Sequence, residues 1–169
     1  MFNAAVWLGA AVFFTAGAAP ALSSDAMHAL LGPKFFPFYS GAVTQLVLAR
    51  CLEFHVACGV IALIHLFTEG FYLGRPVRRW WLGLLAGLLA LGLVGRYGLA
   101  PRLAQLHRTQ HAVNVQPEQR TAAVNSFRVW HGAFQVLNLL LLAGVAVHFW
   151  RVTHPEDPLR FVGASKFRS

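Results

Sequence analysis

The sequence predicts an all-α fold, a polytopic integral membrane four-helix bundle with an interfacial segment between helices 1 and 2. Of the 169 residues, 57% are hydrophobic and 12% are charged, against about a quarter charged in soluble domains. Four apolar runs are each long enough for a spanning helix, which needs about 17 to 25 residues. The length fits a single transmembrane domain.

The four predicted spans cover approximately residues 3–20, 43–72, 80–100 and 127–152, followed by a polar tail, 153–169. The second run is the long one, because residues 41–72 suggest continuous helix of about 48 Å, more than a hydrocarbon core of about 30 Å. Its first turns must therefore tilt or project from the membrane. No Lys or Arg precedes the first run, so we expect an uncleaved span rather than a signal peptide.

Two connections are long enough to carry structure of their own. Residues 22–40 contain Pro33, Pro37 and several aromatic residues, a composition typical of a segment at headgroup depth with Lys34 reaching water. Residues 101–126 are polar, and their first part is predicted to extend the third helix. Pro117 followed by Glu118 indicates the first turn of the helix that leads into the fourth span.

Basic residues lie between the apolar runs rather than along one solvated face. The formal net charge of +8 therefore indicates topology, not a nucleic-acid site. Arg75, Arg78 and Arg79 cluster in the short connection after the second span, and further basic residues lie in the tail. The positive-inside rule predicts that this connection, the tail and both termini are cytoplasmic.

Small residues are expected to hold the helices together, since hydrophobic burial gives little advantage in lipid. The third span supplies Gly83 and Gly87 as a GxxxG pair, with Ala86 and Ala90 alongside. The first span supplies Ala11, Thr15, Ala18 and Ala19. We interpret both sets as ordinary helix-packing positions.

A polar seam runs along the second helix. Its positions alternate by four and three residues, so they should share one side of the helix: Cys51, His55, Cys58, Ala62, His65 and Glu69. Arg50 and Glu53 lie beside the seam. Ionisable groups at bilayer depth are costly and normally face a bundle interior or a cavity, which makes them functional candidates.

The fourth helix carries a matching set, Arg128, His131, Gln135 and Asn138. Because the second and fourth helices run in the same direction, we expect Glu53 to pair with Arg128 and the two polar faces to meet. Such a network can simply bind the helices together, at roughly 0.6 to 2 kcal/mol for each interhelical hydrogen bond.

A b-type haem site is a second interpretation of the same residues. Measured from Tyr72 and Trp150 at the cytoplasmic ends, His55 and His131 lie about 25 and 28 Å deep, and His65 and His148 about 10 and 3 Å deep. Each cross-helix pair would then hold one haem by axial imidazoles. The depths match well for the first pair and poorly for the second.

A soft-metal site is the third interpretation. Cys51, His55 and Cys58 stack on one helical face, and thiolate with imidazole favours copper(I) or zinc. Their spacing of about a turn requires ligands from another helix. The two cysteines are about 10 Å apart on such a helix, beyond disulfide reach, so we expect free thiols. The remaining histidines, His28, His107, His111 and His154, are predicted to lie on the solvated surface.

Several catalytic signatures are missing from the sequence. It contains no phosphate-binding glycine loop, no His-Glu-x-x-His and no serine nucleophile elbow. A hydrolase or a nucleotide-driven pump is therefore not expected, and we predict no enzymatic activity.

Four stretches resemble a bacterial family of uncharacterised membrane proteins. They are residues 3–14, beginning Asn-Ala-Ala-Val-Trp-Leu-Gly; residues 50–55; residues 69–75, Glu-Gly-Phe-Tyr-Leu-Gly-Arg; and residues 126–132, Ser-Phe-Arg-Val-Trp-His-Gly. That family is similar to the eukaryotic transmembrane-protein-205 group and, distantly, to the copper-resistance protein D family. The resemblance extends from Phe2 to about Val152 and implies four spanning helices, polar residues paired between the second and fourth, and the bacterial inner membrane. It implies no reaction.

The sequence thus favours an accessory or transport-related subunit with an intramembrane polar network, surrounded by lipid and in contact with other membrane-protein subunits. A haem-binding electron carrier and a copper-handling protein are the alternatives, and the cofactor is left open. The residues on which these hypotheses depend are His55, His65, His131 and His148 for haem; Cys51, His55 and Cys58 for a metal; and Arg50, Glu53, Glu69, Arg128, Gln135 and Asn138 for the network.

Overall fold

The computed structural model describes residues 1–73 and 78–154, and within these ranges all regular structure is helical. In these two ranges, four helices are long and apolar enough to cross a membrane, which confirms the predicted fold class. They are α1 (Phe2–Leu22), α2 (Asp25–Leu73), α3 (Arg79–His111) and α4 (Pro117–Thr153). The predicted cytoplasmic connection around Arg75 and most of the predicted tail lie outside the described residues.

Two of the helices contain a π-helical turn that precedes a proline. In α1 the turn covers Phe13–Ala18, just before Pro20, and in α3 it covers Val94–Leu99, just before Pro101. Proline has no N–H to donate, and its ring crowds the carbonyl four residues earlier. The wider turn places that carbonyl away from the ring, so both helices continue through their proline instead of ending there.

Residues 22–40, which the sequence placed at headgroup depth, are almost entirely helical. After a turn at Ser23 and Ser24, α2 starts at Asp25 and is interrupted only at Gly32, whose φ of 71° and ψ of 160° are not helical. Only glycine adopts such a backbone at little cost. The Ser40 hydroxyl donates to the Leu22 carbonyl at 2.6 Å and fixes this part of α2 against the end of α1. The continuous helix predicted over residues 41–72 is confirmed.

The connection between α3 and α4 covers only residues 112–116, although the polar stretch of the sequence extends over residues 101–126. α3 continues to His111 and α4 begins at Pro117, which confirms both the predicted extension and the predicted start. The Arg120 guanidinium donates to the Ala112 carbonyl at 3.1 Å and closes the turn. Because α3 and α4 extend so far, each has a polar end beyond its apolar stretch.

Small residues pack in the bundle as predicted in α1 but not in α3. In α1, Ala11 is buried in the bundle. In α3, Gly83 and Gly87 are both exposed, and a Cβ added to either would meet no atom within 4 Å. The close approach inside the bundle occurs at Gly144, whose Cβ would lie 2.6 Å from Leu88. The GxxxG pair therefore faces outward, and its predicted packing role within the bundle is wrong.

Gly41 marks the tightest contact between α2 and α3. A Cβ on Gly41 would overlap the imidazole ring of His107, which is itself only 4% exposed. We expect Gly41→Ala to lower the free energy of unfolding by about 1–3 kcal/mol, the usual cost of overpacking. Thermal unfolding in detergent measures this. Gly9→Ala, where a Cβ would meet nothing within 4 Å, is the matched control, and equal stability of the two variants would contradict the packing.

Candidate functional site

Trp7 and His55 form a hydrogen bond in the buried interior. Within the described residues, it is the only hydrogen bond there that joins two side chains. Trp7 on α1 has 0% exposure and His55 on α2 has 3%. The indole Nε1–H donates to His55 Nδ1 at 2.6 Å. Since Nδ1 accepts, a neutral His55 carries its proton on Nε2.

His148 on α4 contacts the same indole. The ring centroids of Trp7 and His148 lie 6.0 Å apart in an edge-on arrangement, and His148 is 7% exposed. Its Nδ1 has no hydrogen-bond partner within the described residues. Trp7, His55 and His148 therefore form a central cluster to which three of the four helices contribute.

Two hydrogen bonds on either side of the central cluster tie α1 to its neighbours. The Asn3 side-chain amide donates to the Cys58 carbonyl of α2 at 3.1 Å. The Asn138 amide of α4 donates to the Thr15 hydroxyl at 3.0 Å. An unpaired polar group in lipid costs several kcal/mol, so these contacts also fix how α1 is placed along the bundle.

The predicted haem pairs are not the histidines that the structure brings together. His55 and His148 both contact Trp7, whereas His131 and His65 are exposed. The predicted depths of the histidines assumed that Tyr72 and Trp150 lie at the same height. Asn3 lies beside Cys58, so the last turns of α2 extend well past the start of α1. Haem ligation by these histidines stays a prediction, with a different geometry from the expected one.

The polar seam of α2 is buried in its middle and exposed at one end. Cys58 and Ala62 are buried with His55. His65 is exposed, and its Nδ1 lies 3.5 Å from a carboxylate oxygen of Glu69 on the same helix. The expectation that all six seam positions face the interior is therefore wrong at His65 and at Glu69, whose side chain is 43% exposed, because α1 begins beside Cys58 and does not reach that far.

The Cys51, His55 and Cys58 set is not assembled into a metal site by the described chain. Both cysteines are free, as predicted, with Cys51 half-buried and Cys58 buried. Within residues 1–73 and 78–154, no three or more His, Cys, Asp or Glu side chains are grouped so that they could hold a metal ion. Metal binding by these three residues stays a prediction from their spacing.

Glu53 pairs with Arg96 of α3, not with Arg128. The Nε and Nη2 groups of Arg96 donate to one carboxylate oxygen at 2.9 and 2.8 Å, and Arg50 Nη1 donates to the other at 2.8 Å. Arg96 lies in the π-helical turn of α3, which sets its direction toward α2. Sequence reasoning overlooked it, although a lone arginine at the end of an apolar run is itself a signal.

A second group of histidines lies at the other end of the bundle. The prediction of a solvated surface is wrong for His107, which is buried, with its Nε2 3.0 Å from the Phe38 carbonyl and its Nδ1 3.0 Å from the Gln110 amide. Phe127 of α4 packs between the rings of His107 and His131, at 6.1 and 5.8 Å. Exposed His131 lies 3.3 Å from Gln135 on its own helix. The buried Leu99, Leu103 and Leu106, at helical spacing, indicate that α3 stays packed here.

Fold and site together define a small integral membrane bundle with a buried Trp–His centre. A family described as a domain of unknown function, DUF4149, matches residues 2–112, and the chain belongs to this family. The match includes α1, α2 and α3, and therefore Trp7 and His55 but not His148. No curated protein and no solved structure matches the chain.

The Trp7 hydrogen bond can be removed without removing the aromatic ring. Trp7→Phe leaves His55 Nδ1 buried without its donor, and we expect the free energy of unfolding to fall by about 1–3 kcal/mol. Thermal unfolding in detergent measures the change. Trp80→Phe, at a residue that is 73% exposed, is the matched control, and an equal effect at both positions would contradict the assigned role of Trp7.

The partner of Glu53 can be tested in the same way. We expect Arg96→Gln to lower the midpoint of thermal unfolding, because it removes two hydrogen bonds to the carboxylate and leaves only Arg50. Arg128→Gln, at an exposed arginine of α4, should leave the midpoint unchanged. A larger loss for Arg128→Gln than for Arg96→Gln would show that the observed pairing is incorrect.

Proposed function

We propose that this protein is a non-catalytic accessory subunit that assembles with another integral membrane protein. The observation that carries the proposal is that several polar side chains of the bundle bond from one helix to another, although buried His148 Nδ1 has no partner within the described residues. Trp7 and Asn3 of α1 donate hydrogen bonds to α2, and Asn138 of α4 donates to α1. Glu53 of α2 accepts from Arg96 of α3. Such a network stabilises one arrangement of helices, and leaves few of these polar groups open toward a substrate.

The outward face of α3 supports the assembly part of the proposal. Gly83, Ala86, Gly87 and Ala90 are all exposed. In lipid, small residues at this spacing let a second helix approach closely, and packing is the main driving force for helix association. Within the described chain no other helix uses this face, since a Cβ on either glycine would meet no atom within 4 Å.

The haem alternative is less well supported by the geometry of His55. A histidine that binds metal commonly coordinates through one ring nitrogen while the other donates its proton to a carboxylate, carbonyl or water. In His55 the Nδ1 accepts from Trp7 instead, so the proton lies on Nε2, the nitrogen that would have to bind iron. The copper alternative meets the same difficulty, because it also uses His55.

The resemblance to the transmembrane-protein-205 group and to the copper-resistance protein D family supports the four-helix architecture and adds no reaction. We further propose that both termini are cytoplasmic, in a bacterial inner membrane. Arg78 and Arg79 support this orientation, as does Arg151, whose guanidinium lies 4.3 Å from the Trp81 ring centroid at the same end. Exposed Trp80 and Trp150 fit an aromatic belt there.

The assembly is tested by purifying the chain from its native membrane in mild detergent and measuring the mass and composition of the complex. We expect a membrane-protein partner at fixed stoichiometry, lost in the Gly83→Leu, Gly87→Leu variant because the larger side chains prevent close helix approach. Gly9→Leu, at an exposed glycine of α1, should keep the partner. A monomeric wild-type chain would contradict the proposal.

The cofactor alternatives are distinguished with the same preparation. The accessory function predicts no Soret band in the absorption spectrum and no stoichiometric copper or zinc by elemental analysis. A Soret band lost on His55→Ala, or bound copper lost when Cys51 and Cys58 are both changed to Ala, would replace the proposal with one of its alternatives.

A further inference from the structure

A charged group interrupts the outward apolar face of α2. That face consists of residues at helical spacing, all at least 37% exposed: Tyr39, Val43, Leu46, Phe54, Ile61 and Ile64. Arg50 lies on it between Leu46 and Phe54, and its side chain is 75% exposed. A guanidinium on a face that otherwise suits lipid needs an anionic or strongly polar partner on the outside.

Glu53 does not fully neutralise this group. Its one carboxylate is shared between Arg50 and Arg96, at 2.8 Å from each. The cluster of Arg50, Glu53 and Arg96 therefore keeps one net positive charge. A guanidinium has five N–H donors in a planar fork that matches phosphate, and Arg50 uses Nη1 on Glu53.

The cluster lies about one bilayer core away from the polar ends of the same helices. Arg50 and Tyr72 are about 33 Å apart along α2, and Arg79 and Arg96 are about 26 Å apart along α3, at 1.5 Å per residue. The hydrocarbon core of a bilayer is about 30 Å thick. When Tyr72 and Arg79 lie at one interface, Arg50 and Arg96 lie toward the opposite interface, and α1 and the first turns of α2 continue beyond them to the contact of Leu22 with Ser40.

We propose that Arg50, held beside Arg96 by Glu53, binds the phosphate of an anionic phospholipid. The acyl chains would follow the apolar face of α2 from Phe54 toward Ile64. Tyr97, 72% exposed, lies next to Arg96, with 5.4 Å between the guanidinium and the ring centroid. Tyrosine at this depth is typical of a membrane interface and supports a lipid as the source of the phosphate.

The test is lipid retention by the full-length chain in mixed micelles of phosphatidylglycerol and phosphatidylcholine, measured by native mass spectrometry. We expect selective retention of phosphatidylglycerol, reduced about fivefold in Arg50→Gln, the effect of one basic residue near an anionic surface. Arg50→Lys keeps the charge and should retain an intermediate amount. Arg102→Gln removes an exposed arginine of α3 away from the cluster and should bind like the wild type.

Four results would overturn the proposal. Equal retention of the two lipids would show that the negative charge is not recognised. Unchanged retention in Arg50→Gln, in a preparation with wild-type helical content, would place the lipid elsewhere. Displacement of phosphatidylglycerol by inorganic phosphate would show a site for a free anion, and a co-purified acidic protein in place of lipid would show that a carboxylate neutralises Arg50.

Discussion

The hydrogen bond from Trp7 to His55 is the interaction on which the arrangement of the helices depends. It joins α1 to α2 in the interior, where neither group has water as an alternative partner. His148 packs edge-on against the same indole and brings α4 to it. Trp7 is the largest side chain that α1 buries, and together with buried Phe14 it defines the rotation of this helix of mostly small residues.

α3 is attached to this centre by different means. A Cβ added to Gly95 of α3 would lie 2.9 Å from the Leu52 side chain of α2. The backbone of α3 therefore approaches α2 closely at this point. At the next position of α2, the Glu53 carboxylate accepts from Arg96 in the π-helical turn of α3. The same helix turns Gly83 and Gly87 outward. α3 therefore packs against α2 on one side and presents a surface for close helix approach on the other.

Much of the fold was predictable, because it depends on properties that single helices carry. The lengths of the apolar runs predicted the four helices, and Pro117 followed by Glu118 predicted the start of α4. Relative placement along the bundle depends on contacts between helices that spacing does not contain. The spacing of three residues correctly placed His65 on the same side of α2 as Ala62. That side is buried only where α1 lies alongside, and α1 starts next to Cys58, so His65 is left exposed.

The candidate site was predicted only in part for the same reason. His55 was identified by its depth in an apolar run, but its partner Trp7 looked like any aromatic residue of a spanning helix. Glu53 was expected to find an arginine, and the correct one, Arg96, becomes visible only when α2 and α3 are packed. His107 was missed because a polar composition hid the helical spacing of Leu103 and Leu106.

The tautomer of His55 is the most direct test of this account. Nitrogen-15 NMR of the histidine-labelled protein, assigned with His55→Ala, distinguishes a protonated Nε2 from a protonated Nδ1 and from a metal-bound nitrogen. The hydrogen bond from the Trp7 indole predicts a neutral His55 ring with its proton on Nε2 and an accepting Nδ1. A proton on Nδ1, or a metal on Nε2, would contradict the hydrogen bond and the proposed non-catalytic function with it.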